Sequence, residues 1–164
     1  MARKIYMTVG LPGSGKSTWV KNHLKDHPDT LVVSRDDLRE HLHAGTYIYD
    51  ELLEPVISSL SNHILEDLIY RTNKDIIIDE TNGRLDKRLK IINSINYMKG
   101  VSPFARNIEI IAVVFPEPEN ILDRRMQNDR GYTREEWQAV IDGMKSYWKP
   151  VELEEGFTAI VTVK

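Results

Sequence analysis

The chain contains no cysteine. Disulfides, thiolate metal sites and a cysteine nucleophile are therefore excluded, and the composition fits a reducing compartment. No apolar run approaches the roughly 20 residues that a membrane-spanning helix needs, and the first residues lack the apolar stretch of a signal peptide. Positive charge is not in excess: 22 Lys and Arg stand against 25 Asp and Glu, a formal charge of −3. A polyanionic partner must then be held by a local basic patch, because the field of the whole molecule does not favour it. Internal repeats, low-complexity tracts and linker-like stretches are also lacking. His23, His27, His41, His43 and His63 show no ligand spacing, and His41 and His43, two apart at an expected helix end, are expected at the surface.

What remains suits one compact domain over residues 1–164. The chain is 41% hydrophobic and 29% charged, which supplies a substantial core. "KIYMTVG" (4–10) reads as a strand closed by glycine. "LVVS" (31–34), "DIIID" (75–79) and "IEIIAVVF" (108–115) are near-continuous apolar runs, as expected of strands buried on both faces of a parallel sheet. "FTAIVTV" (157–163) reads as a last strand. Helical spacing falls between them. One helix follows from Ser17 to Lys25. Leu53, Val56, Ile57, Leu60, Ile64 and Leu68 form a second stripe, and Leu85, Leu89, Ile92 and Ile95 a third. Ile121, Leu122 and Met126 mark a short helix; Trp137, Val140, Ile141, Met144 and Trp148 mark a longer one. These stripes are expected to face the core. Alternating strands and helices imply an α/β fold, an open and mostly parallel sheet with helices on both faces.

"GLPGSGKST" (10–18) fits G-x-x-x-x-G-K-[ST] through Gly10, Gly15, Lys16 and Ser17. Glycines let the backbone wrap around phosphate, and the following helix offers its positive dipole end. Lys16 is placed to reach the β- and γ-phosphates, and the Ser17 hydroxyl to ligate Mg²⁺. The buried strand before the loop and the helix after it supply the context that the motif requires. Binding of a nucleoside triphosphate with Mg²⁺ is expected.

Three classes then compete: a switch GTPase, an assembly ATPase and a kinase. "NKDI" (73–76) lacks the acid of a guanine-reading N-K-x-D and precedes a strand, and "DETNG" (79–83) has its glycine one residue late for D-x-x-G. An assembly ATPase usually needs a longer chain. A small kinase fits, with an arginine-bearing lid as the remaining requirement. "RRMQNDRGYTR" (124–134) supplies candidates in Arg124, Arg125 and Arg130. "VVSRDDLREHL" (32–42) should deliver Arg35, Asp36, Asp37 and Arg39 to the sheet edge beside the phosphate loop. Residues three apart share a helix face, so Asp36 and Arg39 can point the same way. A hydroxyl acceptor needs a base near its proton and a cation near any phosphate it carries, and this pair meets both needs. Asp36 as a simple helix cap, with both arginines in surface ion pairs, is the plainer alternative. Asp79 is placed to hold Mg²⁺ through water.

These residues together resemble polynucleotide 5′-hydroxyl kinases of the P-loop kinase superfamily, in particular the kinase module of phage polynucleotide kinase–phosphatases. The resemblance runs nearly end to end through "GLPGSGKSTW" (10–19), "SRDDLR" (34–39), "IDETN" (78–82) with Arg88 downstream, and "RR" through "DRGY" (124–132). "WKPVELEEGFTAI" (148–160) is similar to an ending common among related P-loop kinases. The resemblance implies ATP with Mg²⁺ as donor and the 5′-hydroxyl of a DNA or RNA end as acceptor. Asp36 would be the general base, and Arg39 would hold the acceptor's adjacent phosphate. Gly13, Ser14, Gly15, Lys16, Ser17, Thr18 and Arg124 would bind nucleotide, and Ser17 and Asp79 the metal. Thr81, Asn82 and Arg88 would line the acceptor side. Arg125 or Arg130 would stabilise the transferring phosphoryl group. No phosphatase module follows, so removal of 3′-phosphates is not implied. A cytoplasmic setting, consistent with phage encoding, is expected.

Residues 43–55 match nothing in that pattern and are expected to shape the acceptor channel. Tyr47, Tyr49 and Tyr132 are candidates for stacking on bases, and Arg3, Lys4, Lys87, Arg88 and Lys90 for basic surface. Two other functions stay open: a kinase for a small-molecule or tRNA-linked hydroxyl, which the acidic balance favours, and a nucleotide-binding module without transfer chemistry. Oligomeric state is left open.

Overall fold

The computed structural model describes residues 2–127 and 130–164; Asn128 and Asp129, within the arginine-rich stretch, lie outside it. Strands β1 (Arg3–Val9), β2 (Leu31–Val33), β3 (Ile76–Ile78), β4 (Ile108–Val114) and β5 (Ala159–Thr162) form one sheet in the order β2-β3-β1-β4-β5. Every pairing among the described strands is parallel. Helices α1 (Lys16–Asp26), α2 (Arg35–Leu42), α3 (Glu54–Arg71), α4 (Leu85–Val101), α5 (Ile121–Met126) and α6 (Arg134–Tyr147) make the connections, and a short 3-10 turn (Leu153–Glu155) precedes β5. The chain leaves β1 toward β2 and β3 on one side, then crosses to β4 and β5 on the other. That reversal opens the crevice at the carboxyl end of β1 where ligands bind in such sheets.

Strand alternation distributes the layers. Ile5, Met7 and Val9 join Ile76, Ile78, Ile110 and Ala112 in the main core with Leu65 and Ile69 of α3 and Ile92, Ile95 and Met98 of α4. Tyr6 points the other way, its ring edge-on to Trp19 of α1 at 6.0 Å. Helices therefore cover both faces.

The α3 stripe is met in part: Ile57 is buried and Ile64 and Leu68 pack against the core. Its buried row is Ile57, Ser61, Leu65 and Ile69. Val56 and Leu60 stand on the outer face and are exposed. The helix carries apolar residues on two adjacent rows, and only packing against the sheet chooses between them. Arg3 departs from its expected role as basic surface. It is buried at the amino end of β1, far along the strand from the crevice, and donates to the carbonyls of Lys74, Ile69 and Leu68.

The segment after α6 returns to the crevice. Trp148 lies against Gly83, and Lys149 N–H donates to the Gly83 carbonyl at 3.0 Å. A β-carbon on Gly83 would fall 2.2 Å from the Trp148 ring. Gly83→Ala should therefore lose about 1–3 kcal/mol to overpacking, read as a lower urea midpoint with an unchanged slope.

Candidate functional site

The phosphate loop joins β1 to α1. Gly13 and Gly15 hold φ of +86° and +106°, the left-handed region that favours glycine. Gly10 N–H donates to the Thr81 carbonyl at 3.1 Å, which locks the loop to the segment after β3. The Lys16 ammonium folds back onto the loop and donates to the carbonyls of Gly10 at 2.8 Å and Leu11 at 3.0 Å. Burial pushes this ammonium down to about 8, against the opposing pull of Asp79 and Asp36, while Arg125 adds to the lowering. Ser17 and Thr18 are exposed in the first turn of α1.

Asp79 follows β3 at the same edge. Its carboxyl lies 3.3 Å from the Thr8 hydroxyl, and burial raises its pKa despite Lys16 and that hydroxyl. Ser17 and Asp79 offer hard oxygen donors, and Mg²⁺ commonly takes one or two protein oxygens with phosphates and water completing its shell. The donor set fits that ion.

On the far side of the crevice, Ser34 caps α2 by accepting the Asp37 N–H at 3.2 Å. The cap is thus Ser34, which leaves Asp36 for other contacts. One Asp36 oxygen accepts from Arg39 Nη1 at 2.6 Å and the other from Arg130 Nη1 at 2.8 Å. The side chain still keeps 45% of its exposure. Arg39 is buried and paired fork to fork with Glu54 at 2.7 Å on each arm. Tyr47 lies under the Arg130 guanidinium at 3.9 Å, and Tyr49 flanks Arg39 at 5.7 Å. Arg35 pairs with the half-buried Glu80 at 2.9 Å. The helix-spacing expectation for Asp36 and Arg39 matches this geometry.

Arg124 and Arg130 bring two cations to the crevice, and Arg125 lies beside them. An Arg124 nitrogen lies 3.3 Å from where a β-carbon on Gly15 would sit. Arg125 is buried and stacks on Trp137 at 3.9 Å, and its Nε has no hydrogen-bond partner among the described residues. Arg130 reaches across to Asp36. Burial and Arg130 both lower the Arg125 pKa, a sign that these cations crowd one space. Tyr132 packs on Trp137 of the helix that follows, ring centroids 5.0 Å apart and the rings tilted.

Arg88 requires a correction. It was expected to touch the acceptor, or to offer basic surface, but it is fully buried. All five N–H groups are used: two on Glu155, and one each on the carbonyls of Asn82, Lys149 and Pro150. No donor is left for a ligand. Asn82 is likewise buried, with its amide donating to the Thr8 carbonyl at 2.8 Å and its own φ at +45°. Thr81 presents its carbonyl to the phosphate loop. Arg88 and Asn82 thus shape the segment that carries Asp79.

Glu54, Tyr47 and Glu80 belong to the site without having been singled out for these contacts. Residues 43–55 carried only a regional expectation. Nothing in the spacing of residues 39 and 54 announces their pairing, because the connecting turns decide it.

The all-parallel sheet, the phosphate loop and the arginine segment above it define a P-loop kinase fold. The family model described as AAA domain matches residues 5–151, and the chain belongs to that family. Among solved structures, a fungal RNA kinase aligns over 99% of this chain and 74% of its own at 16% identity, with a TM-score of 0.68. A chain of the Pnkp1/Rnl/Hen1 RNA repair complex aligns over 92% of this one at 22% identity and a TM-score of 0.61; this protein spans 48% of its length. The APS kinase of Mycobacterium tuberculosis, solved with AMPPNP and APS, aligns over 98% of this chain and 88% of its own at 17% identity, with a TM-score of 0.61. One neighbour is an RNA kinase and another an APS kinase, so the shared fold leaves the acceptor open. Among the described residues, no helix is long and apolar enough to cross a membrane.

Replacing Arg88 with Met would strand Glu155 as a buried, unpaired carboxylate. Arg88→Met should cost about 3–5 kcal/mol, measured as a fall in Tm.

Proposed function

We propose that this protein transfers the γ-phosphoryl group of ATP to the 5′-hydroxyl of a DNA or RNA end. One observation carries the reading. Asp36 is the partly exposed carboxylate at the crevice, held between Arg39 on its own helix and Arg130 from the arginine segment. Bound Mg²⁺-ATP would supply the phosphoryl donor, with Ser17 and Asp79 holding the metal. Lys16 would leave the Gly10 and Leu11 carbonyls for the phosphates, joined by the N–H groups of Gly13, Ser14, Gly15 and Thr18. Arg124, already over Gly15, would add a cation on that side. Asp36 accepts the proton of the attacking hydroxyl as its oxygen bonds to the γ-phosphorus and the bond to the β-phosphate oxygen breaks. Arg130 must release Asp36 for this, and the transferring group is the anion to which it would move with Arg125. Arg39 keeps two N–H groups beyond its Glu54 and Asp36 contacts for an acceptor phosphate. The likeness to a fungal RNA kinase and to a chain of an RNA repair complex supports a nucleic-acid acceptor.

A second reading, a small-molecule or tRNA-linked hydroxyl as acceptor, has one observation in its favour. Glu54 already fills the Arg39 fork that a polynucleotide phosphate would use.

The test is γ-labelled ATP with Mg²⁺ and three acceptors: a 5′-hydroxyl oligonucleotide, free nucleosides and 3′-mononucleotides. Label should enter the oligonucleotide. Asp36→Asn should reduce the rate by about 10²–10⁴-fold while ATP binding, followed by calorimetry, persists. Label on nucleosides alone moves the protein to the second reading. Full activity in Asp36→Asn removes the base assignment.

A further inference from the structure

Tyr147 ends α6 and is exposed, although its neighbour Trp148 is packed down on Gly83. Lys149 N–H pins the same turn to the Gly83 carbonyl. The Tyr147 ring thus stands on a fixed turn and keeps 39% of its exposure. Arg84, the residue after Gly83, places its guanidinium 5.6 Å from that ring. Arg35, at the start of α2, pairs with Glu80 at 2.9 Å on the same segment that leads through Gly83 to Arg84. Tyr49, itself exposed, flanks Arg39. Four segments therefore converge on one side of the crevice: the start of α2, the loop before α3, the turn before α4 and the end of α6. Tyr49, Arg35, Arg84 and Tyr147 add aromatic and guanidinium groups to this side of the crevice.

We propose that Tyr147 and Arg84 form an outer acceptor subsite for the second nucleotide of a single-stranded 5′-hydroxyl end, with its base on the Tyr147 ring and its phosphate on Arg84. This rests on the polynucleotide reading above. An aromatic face takes any base, and a neighbouring guanidinium pairs with backbone phosphate, the combination by which single strands are held without sequence preference. Arg84 is engaged by Asp86 through two bonds at 2.9 and 2.8 Å, but both side chains are exposed. An exposed pair of this kind is weak enough for a phosphate to displace it. Asp86 therefore acts as a local competitor for the phosphate.

The measurement is the ratio of kcat/KM for a 5′-hydroxyl dinucleotide 3′-phosphate to that for a nucleoside 3′-phosphate. Ribo and deoxyribo versions form parallel arms. The wild-type ratio should be about 10 or more, the gain expected from one stacked base. Tyr147→Leu and Arg84→Ala should each lower it several-fold, whereas Tyr147→Phe should keep it. Asp86→Asn should raise it by releasing Arg84, an increase that simple damage to the fold would not produce. A wild-type ratio near one, or a ratio unmoved by Tyr147→Leu and Arg84→Ala, overturns the subsite while leaving the polynucleotide reading intact. Phosphorylation of neither acceptor overturns that reading and the subsite with it.

Discussion

The buried pairing of Arg88 with Glu155 is the contact on which the site's geometry depends. Two charges inside a protein are tolerated only when every remaining lone pair and proton is also satisfied. Here three backbone carbonyls complete the arrangement, and each belongs to a segment that must be fixed in place. The Asn82 carbonyl fixes the turn after β3. The carbonyls of Lys149 and Pro150 fix the returning tail. One side chain on α4 thereby ties the segment carrying Asp79 to the tail that precedes β5. Asn82 passes the constraint on, since its amide grips the Thr8 carbonyl on β1, two residues before the phosphate loop begins.

The crevice above this frame concentrates charge that the molecule as a whole does not have. The formal charge is −3, yet Lys16, Arg39, Arg124, Arg125 and Arg130 gather at one sheet edge with Asp36 and Asp79. Crowded cations repel one another and are held by local partners: Glu54 for Arg39, Asp36 for Arg130, the Trp137 ring for Arg125 and loop carbonyls for Lys16. A polyphosphate entering here would replace several of these partners at once.

The phosphate loop, the alternating strands and helices, and the Asp36–Arg39 spacing were legible in the sequence because each is a local pattern. A loop of glycines has one geometric use before a helix, and positions three apart on a helix must be neighbours. Arg88 was misread for the complementary reason. It stands near a functional motif, but residue 155 neutralises it, and no short-range pattern links the two. Val56 and Leu60 of the α3 stripe were misplaced in a related way, since two adjacent apolar rows are equivalent until a sheet packs on one of them.

The sequence by itself determined the fold class, the nucleotide-type loop and the set of charged residues near it, because hydrophobic period and loop chemistry act within a few residues. Only the tertiary structure decided which of those charges face the crevice. Arg39 reaches Glu54, Arg130 reaches Asp36 and Arg88 reaches Glu155 across separations of 15, 94 and 67 residues. Such pairings are set by how the helices pack on the sheet, and the packing is a property of the whole chain.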